Sequence, residues 1–226
     1  MNRENYKIKI DTPDPGYEPF PVSILNRSTH EVVTFDPYLG KPAMISYRLN
    51  KLGCIRIRLV HRKEKNPLIR TLQDWTNQEF GNYELFWDGR DASGNFVDNK
   101  KMLVLFEAKD KDKGLKHQEH DEAVCRDPQL ILKSSADLSQ LVKGTFELVT
   151  VYSQKPSVSL AKTGCEVRYY VDYKLFKSEN YDKEAVEFNL KVDTTIFNNG
   201  EHLITVNVDD FNDHIGTAGV KIDVEN

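Results

Sequence analysis

The chain has 226 residues, 39% of them hydrophobic and 29% charged, and its 31 basic and 35 acidic side chains leave a net charge of −4. That balance excludes a disordered chain, and it excludes a polyanion binder, which needs a concentrated basic face to displace counterions. No apolar run approaches the roughly 18–20 residues that cross a bilayer, so neither a membrane span nor a nucleic-acid partner is expected.

Residues 1–20 contain Pro13, Pro15 and Pro19, with Pro21 just beyond. Proline removes ladder donors, so this stretch is predicted to form no central strand but an extended arm that lies across the first domain or docks onto a neighbour. It has no apolar core and no small-residue cleavage site, and therefore no signal peptide. From Ala43 onward the pattern has period 2. Ala43, Ile45, Tyr47 and Leu49 share one face, and Ile55, Ile57 and Leu59 share another with Arg56 and Arg58 on the wet side. Strands are predicted to follow over 83–87, 102–108, 129–132, 146–152, 166–171, 186–192, 202–208 and 219–224. Turn residues separate them, among them Asp88-Gly89, Ser93-Gly94-Asn95 and Asn198-Asn199-Gly200. Leu68 to Trp75 and Asp137 to Val142 offer at most one helical turn each.

Ten or more short strands with turn punctuation specify an all-β chain. One sandwich needs about 100 residues, and the strand series pauses across the small, polar stretch 133–140. The expected architecture is two tandem immunoglobulin-like or fibronectin-III-like β-sandwiches, over 21–139 and 140–226, behind the 1–20 arm.

The residues with chemical potential are few. His117 and His120, with Glu119 and Asp121 beside them, form the one concentrated set of metal-ligand types. Their spacing is not His-Glu-x-x-His and their flanks read as a solvated loop. Asp209, Asp210 and Asp213 gather oxygens that suit calcium or a polar turn. Tyr169, Tyr170 and Tyr173, with Phe176, are candidates for a sugar-binding face, although alternation assigns half of them to a core. His202 reads as a packing residue. Cys54 and Cys165 sit in apolar strand patterns as inert thiols, and Cys125 lies in a polar stretch. There is no nucleophile elbow, P-loop or dinucleotide fingerprint. No enzymatic activity and no cofactor are expected, with calcium the one open ligand.

Trp87, Asp88, Gly89, Asp91 and Gly94 form the pattern Trp-Asp-Gly-x-Asp-x-x-Gly. Physically it describes an inward tryptophan ending a strand, then two bends built on Asp and Gly. An EF-hand loop needs acids where Arg90 and Ala92 stand. With Phe35-Asp36-Pro37 and the strand at 43–49, this pattern resembles the FlgD-like immunoglobulin domain across about residues 33–133. The family's usual Gly-x-Tyr is replaced here by Lys100-Lys101-Met102-Leu103. Residues 145–226 resemble a bacterial immunoglobulin-like module through Val167 to Asp172, Phe188 to Thr195 and Asn199-Gly200-Glu201-His202. These resemblances imply a structural or adhesion protein of a cell surface, appendage or filament, with protein partners and self-association through the arm. The alternative is an accessory glycan- or protein-binding module of a larger secreted enzyme. The implied location is extracellular or cell-surface, with a cytoplasmic one left open.

Overall fold

The computed structural model describes residues 6–10, 22–24, 33–35, 40–97, 102–110, 127–153, 164–182, 185–211 and 214–226. The protein is all-β: among the described residues there are sixteen strands and one short 3-10 turn, and no α-helix. No helix among them is long and apolar enough to cross a membrane. The chain divides into two compact units, Met1–Arg62 with Leu68–Glu122, and Lys63–Pro67 with Ala123–Asn226.

The first unit contains β1 (Tyr6–Ile10), β2 (Val22–Ile24), β3 (Val33–Phe35), β4 (Ala43–Leu49), β5 (Gly53–His61), β6 (Leu68–Gln78), β7 (Gly81–Trp87) and β8 (Met102–Asp110). They form a five-stranded sheet in the order β3-β1-β8-β5-β6 and a three-stranded sheet in the order β2-β4-β7. The alternation of β4 buries Ala43, Ile45, Tyr47 and Leu49 and leaves Met44 and Arg48 outside. The Tyr47 ring meets Phe106 of β8 edge-on at 5.5 Å, so the inner faces of the two sheets share a core. Burying each such side chain stabilises the fold by about 1.5–3 kcal/mol.

Three expectations are corrected in this unit. Tyr6–Ile10 is an internal strand of the sheet, antiparallel to β3 and parallel to β8, where no central strand was expected. The prolines at 13, 15, 19 and 21 all follow it, so its ladder donors are intact. Leu68–Gln78 is an eleven-residue strand rather than a helical turn. Its pairing with β5 shifts register at three places, and such bulges break the strict alternation by which a strand is recognised. Finally, Arg56 and Arg58 do not lie on a wet face. Both are buried, because every position of β5 is covered on both sides.

The second unit contains β9 (Leu130–Ser134), β10 (Leu141–Val142), β11 (Thr145–Tyr152), β12 (Cys165–Val171), β13 (Lys174–Tyr181), β14 (Glu187–Asp193), β15 (Gly200–Asp209) and β16 (Ile215–Val224), with the 3-10 turn at Thr194–Ile196. One sheet runs β10-β16-β15-β12-β13 and the other β14-β11-β9. β14 alternates without a fault, burying Phe188, Leu190 and Val192. These join Phe146 and Leu148 of β11 and Val167, Ile204, Val206 and Ile222 of the larger sheet in one core.

β9 pairs with β11 from Leu148↔Ser134 to Tyr152↔Leu130, which places it in the second unit. The second unit thus includes β9 as well as Lys63–Pro67. The polar stretch after β9 is a turn inside this unit: Ser135 N–H donates to Glu147 O at 2.9 Å, and Asp137 Oδ1 accepts from Ser139 N–H at 3.0 Å.

Candidate functional site

At the end of β7, Trp87 is buried and its indole Nε1–H donates to Arg90 O at 2.8 Å. Asp88 Oδ1 accepts from Arg90 N–H at 3.1 Å and from Arg70 Nη1 at 2.9 Å. Gly89, at φ 81°, and Gly94, at φ 87°, make the two bends in the left-handed region where a Cβ is unwelcome. Between them Asp91 is buried. Its Oδ1 accepts from the backbone of Ser93 (2.9 Å) and Asn95 (2.8 Å), and its Oδ2 from Asn95 Nδ2 (3.0 Å). The Arg90 guanidinium covers the Phe96 ring at 3.7 Å. The carboxylate's acceptor capacity is directed at the loop's own amides, and the arrangement holds a turn.

The acidic end of β15 is closed in the same way. Asp210 is fully buried; its Oδ2 lies 2.7 Å from His214 Nδ1, and its Oδ1 accepts from His214 N–H at 3.1 Å. Asp209 Oδ2 takes Nη2 of Arg168, whose Nε lies 2.8 Å from Glu166 Oε2. Glu166 is the cross-strand partner of Asp209 and also accepts from Ser178 Oγ at 2.5 Å. Two acids of the same rung thus bracket one guanidinium. Both described members of the expected calcium set, Asp209 and Asp210, have cationic or hydrogen-bonding partners within the fold. Among the described residues, no group of three His, Cys, Asp or Glu side chains is placed to hold a metal. Asp213, His117, His120 and Cys125 lie outside the described residues.

Cys165 is buried in the same region, and burial pushes its thiol up to about 11, with the charges of Asp210 and Asp209 acting in the same direction. A thiol so protonated is a poor nucleophile. Tyr169, Tyr170 and Tyr173 are corrected as a sugar-binding face: all three are in the interior. Tyr169 and Tyr170 straddle a register shift in the β12–β13 pairing and Tyr173 lies in the turn beyond β12, so strict alternation does not assign their faces.

What does face solvent is the outer side of the β4–β7 pair. Met44 and Phe86 are cross-strand partners there, 40% and 57% exposed. Phe80, at 61%, lies beneath the Arg48 guanidinium at 5.2 Å. Asn82 and Glu84 are exposed on the same register of β7. The signal for this face was present in the sequence: Tyr83, Leu85 and Trp87 take the inner register of β7, which leaves Phe86 as a large aromatic on the outer one.

No protein-family model matches the chain, and no curated protein matches it. Among the solved structures with partial similarity are the following three. The CARDB domain of PF1109 from Pyrococcus furiosus is 18% identical, with a TM-score of 0.28, over 44% of this chain and 96% of that one. An endo-beta-1,4-mannanase from Thermotoga petrophila is 14% identical, TM-score 0.32, over 61% of this chain and 29% of that one. Red sea bream transglutaminase is 9% identical, TM-score 0.30, over 93% of this chain and 32% of that one. The chain therefore spans less than a third of the mannanase and transglutaminase chains it matches.

Proposed function

We propose that this chain is a non-catalytic contact module, built from tandem immunoglobulin-like β-sandwiches that join or space other macromolecules at a cell surface, appendage or filament. The observation that carries the reading is the outer face of β4–β7, where Met44 and Phe86 stand side by side in solvent and Phe80 lies under Arg48 farther along the pair. Covering one such phenylalanine in a protein contact is worth about 1.5–3 kcal/mol, and apolar side chains grouped on a polar surface are the usual mark of a docking area. The FlgD-like pattern from Trp87 to Gly94 supports an assembly role, within the limit that a fold hosts many functions. A second reading, an accessory module of a larger secreted enzyme, is favoured by the same aromatics. Phe80 lies under Arg48, the cross-strand partner of Asn82, and Phe86 follows Glu84 on the outer register of β7, so polar groups that suit a glycan's hydroxyls accompany each ring.

The test compares the full chain with a Phe80→Ser/Phe86→Ser variant by sedimentation velocity and on a glycan array. Concentration-dependent self-association of the wild type, weakened at least tenfold in the variant, supports the contact module. Glycan signal without self-association supports the accessory reading. Identical behaviour of the two proteins in both assays sinks the role of this face, and turnover on a hydrolase panel sinks the non-catalytic reading.

A further inference from the structure

We propose that His202 is a proton-operated latch: as an imidazolium it ties the β12–β13 turn to the segment before β15, and loss of one ring proton releases one of the two ties. The geometry is specific. His202 Nδ1 lies 2.7 Å from Asp172 Oδ2, and Nε2 lies 2.8 Å from the Asn198 carbonyl oxygen. A carboxylate and a carbonyl only accept, so both ring nitrogens must donate, and only the imidazolium carries two N–H groups. Neutral imidazole retains one of these bonds and turns a lone pair toward the other acceptor.

The latch acts on a turn that is conformationally expensive. Asp172 and Tyr173 have φ of 48° and 64°, the pair of left-handed residues that a two-residue hairpin of this hand requires. Neither is glycine, and each side chain costs about 1–2 kcal/mol there. Asp172 offsets that cost with its own bonds. Its N–H donates to Leu203 O at 2.9 Å, its Oδ1 accepts from Leu203 N–H at 3.1 Å, and its Oδ2 holds His202. On the other side of the ring, Phe197 packs at 5.4 Å, so the 3-10 turn and the Asn198–Gly200 connection lean on the same imidazole.

The charged groups that bear on the ring are acidic. Asp172 touches it from the hairpin, and Asp223 adds a weaker attraction from β16. Lys221 and Glu201, on the same two strands, neutralise each other at 2.7 Å, and Lys174 at the start of β13 is exposed. Burial alone pulls the imidazole down, but the Asn198 and Asp172 contacts outweigh it and its proton affinity lies above the ordinary histidine value. The sign follows from linkage. A raised native value means that the stabilisation is complete below the unfolded histidine range near 6.5 and is lost as pH rises through the native value.

The experiment is an NMR titration of the full chain that follows the His202 ring nitrogens, with amide exchange at Gly200 and Leu203 measured in parallel. Both nitrogens should be protonated at pH 6, with a midpoint above 6.5. Exchange at Gly200 and Leu203, corrected for its intrinsic pH dependence, should rise at least tenfold through that midpoint. In His202→Gln the corrected exchange should be flat with pH. Should that variant fail to fold, Asp172→Asn, which tolerates the left-handed turn, should lower the midpoint by about one pH unit. A midpoint at or below 6.5, a single neutral tautomer throughout, exchange indifferent to the titration, or an unmoved midpoint in Asp172→Asn each overturns the latch.

Discussion

Arg56 and Glu107 are cross-strand partners on β5 and β8, and the guanidinium, with no solvent exposure, meets the carboxylate twice, Nε to Oε2 at 2.7 Å and Nη2 to Oε1 at 2.6 Å. The Trp75 ring covers the same guanidinium at 4.5 Å, and Arg58 Nη1 lies 3.8 Å from Glu107 Oε2. One carboxylate therefore serves two buried cations. Removing it takes from Arg56 the carboxylate that binds its guanidinium twice in a low-dielectric place, whereas removing Arg56 along with it leaves no such mismatch at that rung.

Glu107→Ala should accordingly destabilise the first unit by about 3 kcal/mol, and the paired Arg56→Met/Glu107→Leu replacement by clearly less. Both tryptophans of the chain, Trp75 and Trp87, lie in this unit, so tryptophan fluorescence in a urea titration reads it directly. Equal losses for the single and the double replacement would show that the pair is not the source of the stability.

Gly164 and Gly144 separate two causes of glycine dependence within the second unit. Both have positive φ, 76° and 78°. A Cβ on Gly164 would come within 2.4 Å of Tyr181 O, whereas one on Gly144 would meet nothing within 4 Å. Gly144→Ala should cost about 1 kcal/mol, the backbone penalty alone. Gly164→Ala adds displacement of the β13 end and should cost at least about twice that. Thermal unfolding followed by circular dichroism ranks the two.

The buried thiols should be silent in the folded protein. With the Cys165 thiol near 11, only about one molecule in a thousand carries a thiolate there at pH 8. Cys54 is likewise buried. In a Cys125→Ser variant, iodoacetamide labelling read by mass spectrometry should reach Cys54 and Cys165 only as urea opens the chain. Fast native labelling of Cys165 would contradict its placement.

Asp91 should matter for stability and not for calcium. Asp91→Ala removes acceptors for two backbone amides and the Asn95 side chain, and should cost about 1–2 kcal/mol. Millimolar calcium followed by chelator should leave the melting temperature of the wild type unchanged, since Asp209 and Asp210 are already engaged by Arg168 and His214. A calcium-dependent rise that disappears in Asp209→Asn would restore the acidic cluster as a cation site.

Much of the strand pattern was legible where one face is wet. β14 alternates cleanly, β4 does so apart from the buried Ser46, and Trp87-Asp88-Gly89 marks its own turn, because these signals are local: side-chain period and backbone freedom. β6 was not legible, since its three register shifts with β5 exist only in the pairing. The role of Asp172 was hidden for the same reason, because its partners His202 and Leu203 are some thirty residues away.

The amino-acid order by itself thus determined that this is a β protein with short strands and strong turns. The folded chain alone decided which polar groups remain for the outside. Arg56, Asp91 and Asp210 look available in a linear reading and become internal. Burial depends on what covers a strand from a distance, and the desolvation cost of each polar side chain is met by partners that only tertiary contact supplies.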